Sequence, residues 1–230
     1  MFWKKKPPTY SGFEEKCGHA VYEVLAAGVS IDGRIRVEDF IAAAASVVAE
    51  ICIEAAGNYN PRKHQFVPGS RVLSDKVNEI FAGNTVDLNK VPGESVVGTL
   101  RDYLLAAGYS KADFPSLQAI FENFAKSVGA PGDWGKVAWS VPEDHRPFIL
   151  PLQVAYETRA SVDRAFVPLV NPTQRLRAAT LTLAEVLIRV EESIDKKVAL
   201  LLALETINGM AKTAPMTDEA MAAANQKGGL

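Results

Sequence analysis

Acidic residues and a histidine recur at helical spacing in the first quarter of the chain. Glu15, His19 and Glu23 are four residues apart, so a helix would place all three side chains on one face. Glu50 and Glu54 repeat this spacing further along. Helical bundles that hold two metal ions combine carboxylates and histidines from facing helices, with a Glu-x-x-His pair used twice. That pair is missing here. The pattern predicts a divalent-metal or small-ligand site, with a solvated helix face as the alternative.

A second cluster combines basic and aromatic side chains. Its basic members lie within 15 residues, beside Tyr59 and Phe66: Arg62, Lys63, His64, Arg71 and Lys76. Such a set could bind a phosphate, an acidic partner or, by stacking and charge together, single-stranded nucleic acid. The net charge of −2 provides no general attraction for nucleic acid. The cluster therefore predicts an anion or partner site, with a solvated loop and helix face as the alternative.

Established catalytic motifs are not found in the sequence. It contains no Gly-x-Ser-x-Gly, no phosphate-binding P-loop and no Gly-x-Gly-x-x-Gly. Cys17 lies two residues before His19, and on a helix their side chains diverge by about 200° instead of forming a thiolate–imidazole pair. Cys17 and Cys52 are therefore predicted to be core residues. No catalytic residue is assigned, and a divalent metal is the only cofactor considered.

The segment Ser30–Glu38 has the outline of an EF-hand calcium loop, with a carboxylate before a glycine and an acidic residue at its end. Aligned on Gly33, however, Gly28 falls at the first ligand position and Asp39 at the terminal glutamate position. Too few oxygen ligands remain for calcium. We predict instead a turn between two helices, with Gly33 at positive φ and Glu38 favoured near the following helix N-terminus.

The same segment resembles the bacterial tellurite-resistance B family, in which an alanine-rich helix meets Asp-Gly and an acidic residue opens the next helix. The matching residues are Leu25-Ala26-Ala27, Asp32-Gly33 and Glu38, within about 25 positions. The resemblance implies an all-helical stress-response module with an acidic patch that could bind metal.

The elements that must position these residues are helices of a globular protein. The chain has 230 residues, 48% hydrophobic and 23% charged, with mean hydropathy +0.02. This composition excludes a disordered chain, and two cysteines exclude a disulfide-stapled secreted scaffold. No apolar stretch follows Lys4–Lys6, so no signal peptide is predicted. The most hydrophobic window, 40–57, carries Glu50 and Glu54 and fails as a membrane span. A cytoplasmic protein without membrane contact is predicted.

Apolar residues recur at steps of three and four along nearly the whole chain, which predicts an all-α bundle of about eight helices. Asn171-Pro172 is a strong helix start. No proline or glycine follows before Gly209, so one long C-terminal helix is expected. Its apolar residues form a near-heptad seam: Leu176, Thr180, Leu183, Leu187, Val190, Ile194, Val198 and Leu201.

Five segments are predicted along the chain. They are an N-terminal arm (1–12), a helical subdomain (13–129), a connecting loop rich in Trp, Pro and Gly (130–147), a helical hairpin with the long helix (148–212) and a flexible tail (213–230). Loops longer than about 12–15 residues are functional or linking in many domains. A hinge between two helical subdomains is the simpler interpretation of 130–147.

The leading functional hypothesis is a non-enzymatic protein that acts by association, through a homo-oligomer or a protein partner. Its basis is the long C-terminal helix and its seam, together with the missing catalytic motifs. The alternative is a metal- or small-ligand-binding bundle, enzymatic or not, that uses the acidic residues and histidine of the first two helices.

Overall fold

The computed structural model describes residues 12–57, 59–130 and 135–222, and in these ranges the fold is built from α-helices. The elements are α1 (Gly12–Gly28), β1 (Ser30–Ile31), β2 (Arg34–Ile35), α2 (Val37–Ala56), α3 (Asp75–Ala82), α4 (Val96–Ala106), α5 (Leu117–Ser127), α6 (Pro151–Ala165), α7 (Pro172–Arg189) and α8 (Lys196–Met210). Single 3-10 turns occur at Lys111–Asp113 and Glu143–His145, and a further helical stretch occupies 218–222. The predicted all-α multi-helix class is confirmed.

Helix α2 is the centre of the bundle. It is buried along most of its length and packs most extensively against α7 and α8, with α6 and α3 beside it. The run Ala42–Ala45 lies in its fully buried part. Small side chains let neighbouring helix axes approach closely, which explains how one helix can be covered on several sides. The residue that ends it, Gly57, is left-handed (φ 68°) and closes the last turn.

The link between α1 and α2 is a tight turn in a two-residue hairpin. β1 and β2 pair in antiparallel fashion, with Ser30 opposite Ile35. Asp32 and Gly33 both have positive φ, 50° and 72°. The predicted left-handed conformation of Gly33 is therefore confirmed, while the sequence pattern did not reveal the short strands.

The prediction of a single long C-terminal helix from Asn171 to Gly209 is wrong, because the chain turns between α7 and α8. Val190 ends α7, and its carbonyl accepts hydrogen bonds from the backbone N–H groups of Ser193 (2.8 Å) and Ile194 (3.2 Å). Asp195 then starts α8, because its side chain accepts hydrogen bonds from the backbone N–H groups of Lys197 and Val198. A new helix can thus begin here without proline or glycine, because a capping side chain is available.

The apolar residues of the near-heptad seam pack within the fold of the chain itself. All of its residues up to Ile194 are buried, and Val198 and Leu201 are partly buried against the core. Both helices that carry it pack on α2. The seam is therefore part of the intramolecular core.

One buried cluster contains residues from Cys17 to Ala211 and so draws on both predicted helical subdomains. The described part of the connecting loop contributes Val137 and Val141 to it, whereas Trp134 lies outside the described residues. Backbone hydrogen bonds join residues 212–214 to 69–72. Most of the predicted arm and the end of the predicted tail, 223–230, lie outside the described ranges, and the predicted segment boundaries stay predictions.

Candidate functional site

Two of the predicted site residues, Glu15 and His19, line a cleft of about 450 Å³ between α1, α4 and α7. Tyr103 of α4 forms one side of this cleft. The residues of α1 and α7 that complete it are Glu15, Gly18, His19, Leu181, Thr182, Glu185, Ile188 and Arg189. We call this the α1–α4–α7 cleft. Its lining combines carboxylates with aliphatic side chains, which is typical of a site for a small amphipathic ligand.

The bottom of the cleft is formed where α1 and α7 approach closely. The Thr182 hydroxyl donates to the Gly18 carbonyl at 2.9 Å. A Cβ atom at Gly18 would lie 3.1 Å from the carbonyl oxygen of Ala178. Glycine at position 18 thus permits the close packing that fixes the two walls relative to each other.

The polar groups of the cleft are linked by charge. Arg189 donates two hydrogen bonds to Oε1 of Glu185, at 2.9 and 2.6 Å. His19 lies between two carboxylates, with Nδ1 3.5 Å from Glu185 and Nε2 3.7 Å from Glu23. Its ring also stacks on Tyr22. The structure therefore joins the α1 residues to an acidic residue of α7 that sequence spacing did not indicate.

Two carboxylates act on the Tyr103 phenol from opposite helices. Burial raises the pKa of Tyr103 above its ordinary value, and the negative charges of Glu185 and Glu15 raise it further. The cleft therefore concentrates negative charge around an aromatic side chain.

The other predicted metal ligands, Glu50 and Glu54, are not part of this cleft. Glu54 accepts from Arg62 at 3.4 Å and from Arg175 at 3.1 Å. Glu50 is buried and pairs with Arg159. In the part of the chain that the structure describes, no group of three His, Cys, Asp or Glu side chains has an arrangement that could hold a metal ion. Of the five predicted metal-site residues, Glu15 and His19 thus line the cleft, Glu23 lies beside it in contact with His19, and Glu50 and Glu54 belong to an arginine-bonded network.

The predicted basic cluster is not a single surface. Arg62 points inward and pairs with Asp163 and Glu54, while Lys76 pairs with Glu79 on α3. Arg71 donates to Thr213 and to the Lys136 carbonyl. The remaining two, Lys63 and His64, are exposed, and the His64 backbone N–H donates to Glu219. The cluster thus divides into separate contacts with the rest of the fold.

Both cysteines lie in the core, as predicted. Cys17 and Cys52 are free and buried. Burial raises the pKa of each thiol, which disfavours the reactive thiolate.

Sequence reasoning missed a buried polar stripe on α8 and just beyond it. Glu205, Asn208 and Lys212 are spaced three and four residues apart, and each is 5% exposed or less. Glu205 accepts from Asn123 and from both the hydroxyl and the backbone N–H of Ser140. The sequence signal for this stripe is a set of polar residues at helical spacing beside a leucine-rich segment. Burying such polar side chains is costly unless they have partners.

Comparisons with known proteins found no relatives. No family model matches the chain, and no curated protein or solved structure matches it either. The resemblance of residues 25–38 to the tellurite-resistance B family therefore stays a prediction. Within the described ranges, no helix combines the length and apolar character that crossing a bilayer requires.

Proposed function

We propose that the protein is a small-ligand-binding helical bundle whose α1–α4–α7 cleft takes a short aliphatic amine. The observation that carries the proposal is the convergence of Glu15 and Glu185, from two helices, beside Tyr103 in a cleft of about 450 Å³. A ligand ammonium group would be attracted by both carboxylates and by the electron-rich face of the tyrosine ring.

The charge balance of the cleft favours a cation over an anion. Arg189 is neutralised by Glu185. Glu15 forms no ion pair with any described residue, and Glu23 contacts the imidazole of His19 while its charge helps to raise the pKa of Arg189. A net negative charge therefore remains for a ligand to compensate, on carboxylates of which Glu15 is exposed and Glu185 is partly buried.

The apolar lining favours a short hydrocarbon body. On α7, Leu181 lies about one turn before Glu185 and Ile188 about one turn after it, and both line the same cleft. A chain of about four carbons could lie on these side chains while its amino group contacts the carboxylates. The burial of each methylene would contribute about 0.8 kcal/mol.

We favour the hypothesis of a small-ligand-binding bundle over the hypothesis of association through the C-terminal segment. The seam that motivated association is buried against α2, so its apolar residues are already used in the fold. Homo-oligomer or partner binding through another surface is a separate hypothesis.

Isothermal titration calorimetry with 1,4-diaminobutane tests the proposal, with uncharged 1,4-butanediol as the matched ligand. We expect saturable one-site binding of the diamine and no measurable binding of the diol. Glu15→Gln should weaken diamine binding by about tenfold, because it removes one charge-assisted hydrogen bond to the ligand ammonium group. Glu185→Gln should weaken it more, since it also leaves Arg189 unneutralised.

The control variant is Glu157→Gln. Glu157 is an exposed carboxylate on α6 that is bonded to Gln153. Equal binding of diamine and diol, or equal weakening by Glu157→Gln and Glu15→Gln, would contradict the proposal.

A further inference from the structure

Lys212 is a buried ammonium group that forms no ion pair with a carboxylate in the described ranges of the chain. Its residue is 5% exposed, and its Nζ donates to Asn208 Oδ1 at 2.6 Å. None of the described Asp or Glu side chains comes within ion-pair distance of it. A buried charge is costly unless a counter-charge or several hydrogen bonds compensate it. The single bond to Asn208 leaves two of its three N–H donors without a hydrogen-bond acceptor.

Aromatic rings provide part of the compensation. The Lys212 Nζ lies 4.8 Å from the centroid of the Phe121 ring and 4.7 Å from that of Phe124, both on α5. Cation–π contacts of this kind stabilise a desolvated ammonium group. These ring contacts favour the charged form of Lys212, but an aromatic ring does not accept a conventional hydrogen bond as a carboxylate oxygen does.

A second, independent donor lies beside the ammonium group. Asn208 is 1% exposed, and its Nδ2 is buried without a hydrogen-bond partner. The amide cannot be turned round to satisfy it, because the NH2 group would then face the Lys212 ammonium in place of the oxygen. An unsatisfied buried N–H group is destabilising, so this position favours an acceptor from outside the fold.

The charged neighbours restrict what that acceptor can be. The guanidinium carbon of Arg71 lies 5.3 Å from the centroid of the same Phe124 ring, and the Arg71 side chain donates to the Thr213 hydroxyl. Glu205, two turns earlier on α8, has its oxygens engaged by Ser140 and Asn123. Among the described residues, no carboxylate of α8 therefore compensates the charge of Lys212.

We propose that Lys212 and Asn208 form a binding site for a small monocarboxylate, separate from the amine cleft. One carboxylate oxygen would accept from the Lys212 Nζ and the other from the Asn208 Nδ2. A monoanion matches the charge of the Lys212 ammonium group, whereas a phosphate dianion would bring a second negative charge into a buried place. The site differs from the amine cleft in position, ligand charge and residues, so either proposal can fail without the other.

The pKa of Lys212 provides the readout. Burial lowers this pKa to about 8. A bound carboxylate favours the ammonium form, so the pKa should rise by roughly one unit or more on saturation. It is measured by NMR from the pH dependence of the 13Cε resonance of Lys212, in buffer without small anions and then with acetate. Inorganic phosphate and the bulky pivalate are parallel arms.

Acetate should raise the pKa of Lys212 saturably, and phosphate and pivalate should have a smaller effect. Acetate should also raise the thermal midpoint of the wild type. Lys212→Met should remove that increase even if the variant is itself more stable, and Asn208→Leu should weaken acetate binding several-fold. Lys196→Met is the matched control, since Lys196 also lies over an aromatic ring, Tyr109, but is already paired with Glu191.

Three results would overturn the proposal. The first is a Lys212 pKa that is the same with and without acetate. The second is an equal effect of acetate, phosphate and pivalate, which would indicate general screening by salt. The third is an acetate-dependent stabilisation that persists in Lys212→Met.

Discussion

Arg159 of α6 and Glu50 of α2 form an ion pair inside the protein, with Nε of Arg159 2.5 Å from Oε1 of Glu50. Their side chains are only 11% and 9% exposed. The pair joins the central helix to α6, and a second contact from Nη2 reaches the other carboxylate oxygen at 3.3 Å. Burial raises the pKa of Glu50, and the nearby Arg159 opposes that effect.

Replacing one member of this pair should be far more costly than replacing both. Arg159→Met leaves the Glu50 carboxylate buried without its partner and should lower the free energy of unfolding by about 3–5 kcal/mol. The double variant Glu50→Leu/Arg159→Met should recover most of this loss, because apolar side chains of similar size can replace a buried pair. Urea denaturation of the two single variants and the double variant measures the coupling.

An exposed ion pair provides the control for that cycle. Lys76 and Glu79 on α3 are each about half exposed and lie 2.9 Å apart. Lys76→Ala should change the free energy of unfolding by less than about 1 kcal/mol. Equal losses at the buried and exposed pairs would show that burial does not govern the contribution of Glu50 and Arg159.

Glu205 should make stability depend on pH. Burial raises its pKa above the ordinary value of 4.5, and hydrogen bonds from Ser140 and Asn123 offset only part of that shift. Between the unfolded and folded pKa values, the folded protein retains a proton that the unfolded chain has released. The free energy of unfolding therefore falls as pH rises from about 4.5 through the folded pKa.

Glu205→Gln should reduce that slope, because glutamine does not titrate. The measurement is a series of urea denaturation curves between pH 4 and 8 for both proteins. Glu50, whose pKa is also raised by burial, retains its own share of the slope in the variant. An identical pH dependence in the two proteins would contradict the assignment of the slope to Glu205.

The helices of this fold were predictable where local signals agree with packing. Asn171 accepts a hydrogen bond from the Thr173 backbone N–H and starts α7, as Asn-Pro predicts. The break before α8 was not predictable, because residues 190–195 contain no proline or glycine and their apolar residues continue the helical spacing. Val190 and Ile194 are buried in the turn itself, so tertiary packing decides where the helix ends.

The Asp195 cap should be needed to begin α8. Its Oδ1 accepts from the backbone N–H of Lys197 at 2.9 Å and of Val198 at 3.3 Å. Asp195→Ala should lower the free energy of unfolding by about 1 kcal/mol, whereas Asp195→Asn should retain most of it. Chemical denaturation compares the three proteins, and equal stability of the alanine and aspartate forms would show that packing alone starts the helix.

The candidate sites were predictable only in part. Spacing on one helix placed Glu15 and His19 on the same face, but it could not show that Glu185 and Tyr103 come from two other helices to form the cleft. Spacing also grouped Glu50 with Glu54, although an arginine from a distant part of the chain binds each of them, Arg159 and Arg175 respectively. Contacts between helices depend on the bundle as a whole, which the periodicity of one segment does not specify.

Gly98 should be the glycine of α4 that cannot be replaced. A Cβ atom there would lie 1.9 Å from the Pro92 carbonyl oxygen and 2.7 Å from its carbonyl carbon. That same oxygen accepts hydrogen bonds from the backbone N–H (3.1 Å) and the hydroxyl (2.7 Å) of Ser95, and Ser95 in turn caps α4 by accepting from the Gly98 N–H at 3.1 Å. The loop therefore cannot move away without breaking the cap.

Gly98→Ala should lower the free energy of unfolding by at least about 3 kcal/mol, since the clash is with backbone atoms and not with a flexible side chain. Gly12→Ala is the control, because a Cβ atom at Gly12 would meet no atom within 4 Å, and its effect should stay within about 0.5 kcal/mol. Urea denaturation of both variants decides the matter. A Gly98→Ala protein as stable as Gly12→Ala would mean that the approach of Pro92 to the first turn of α4 is not required by the fold.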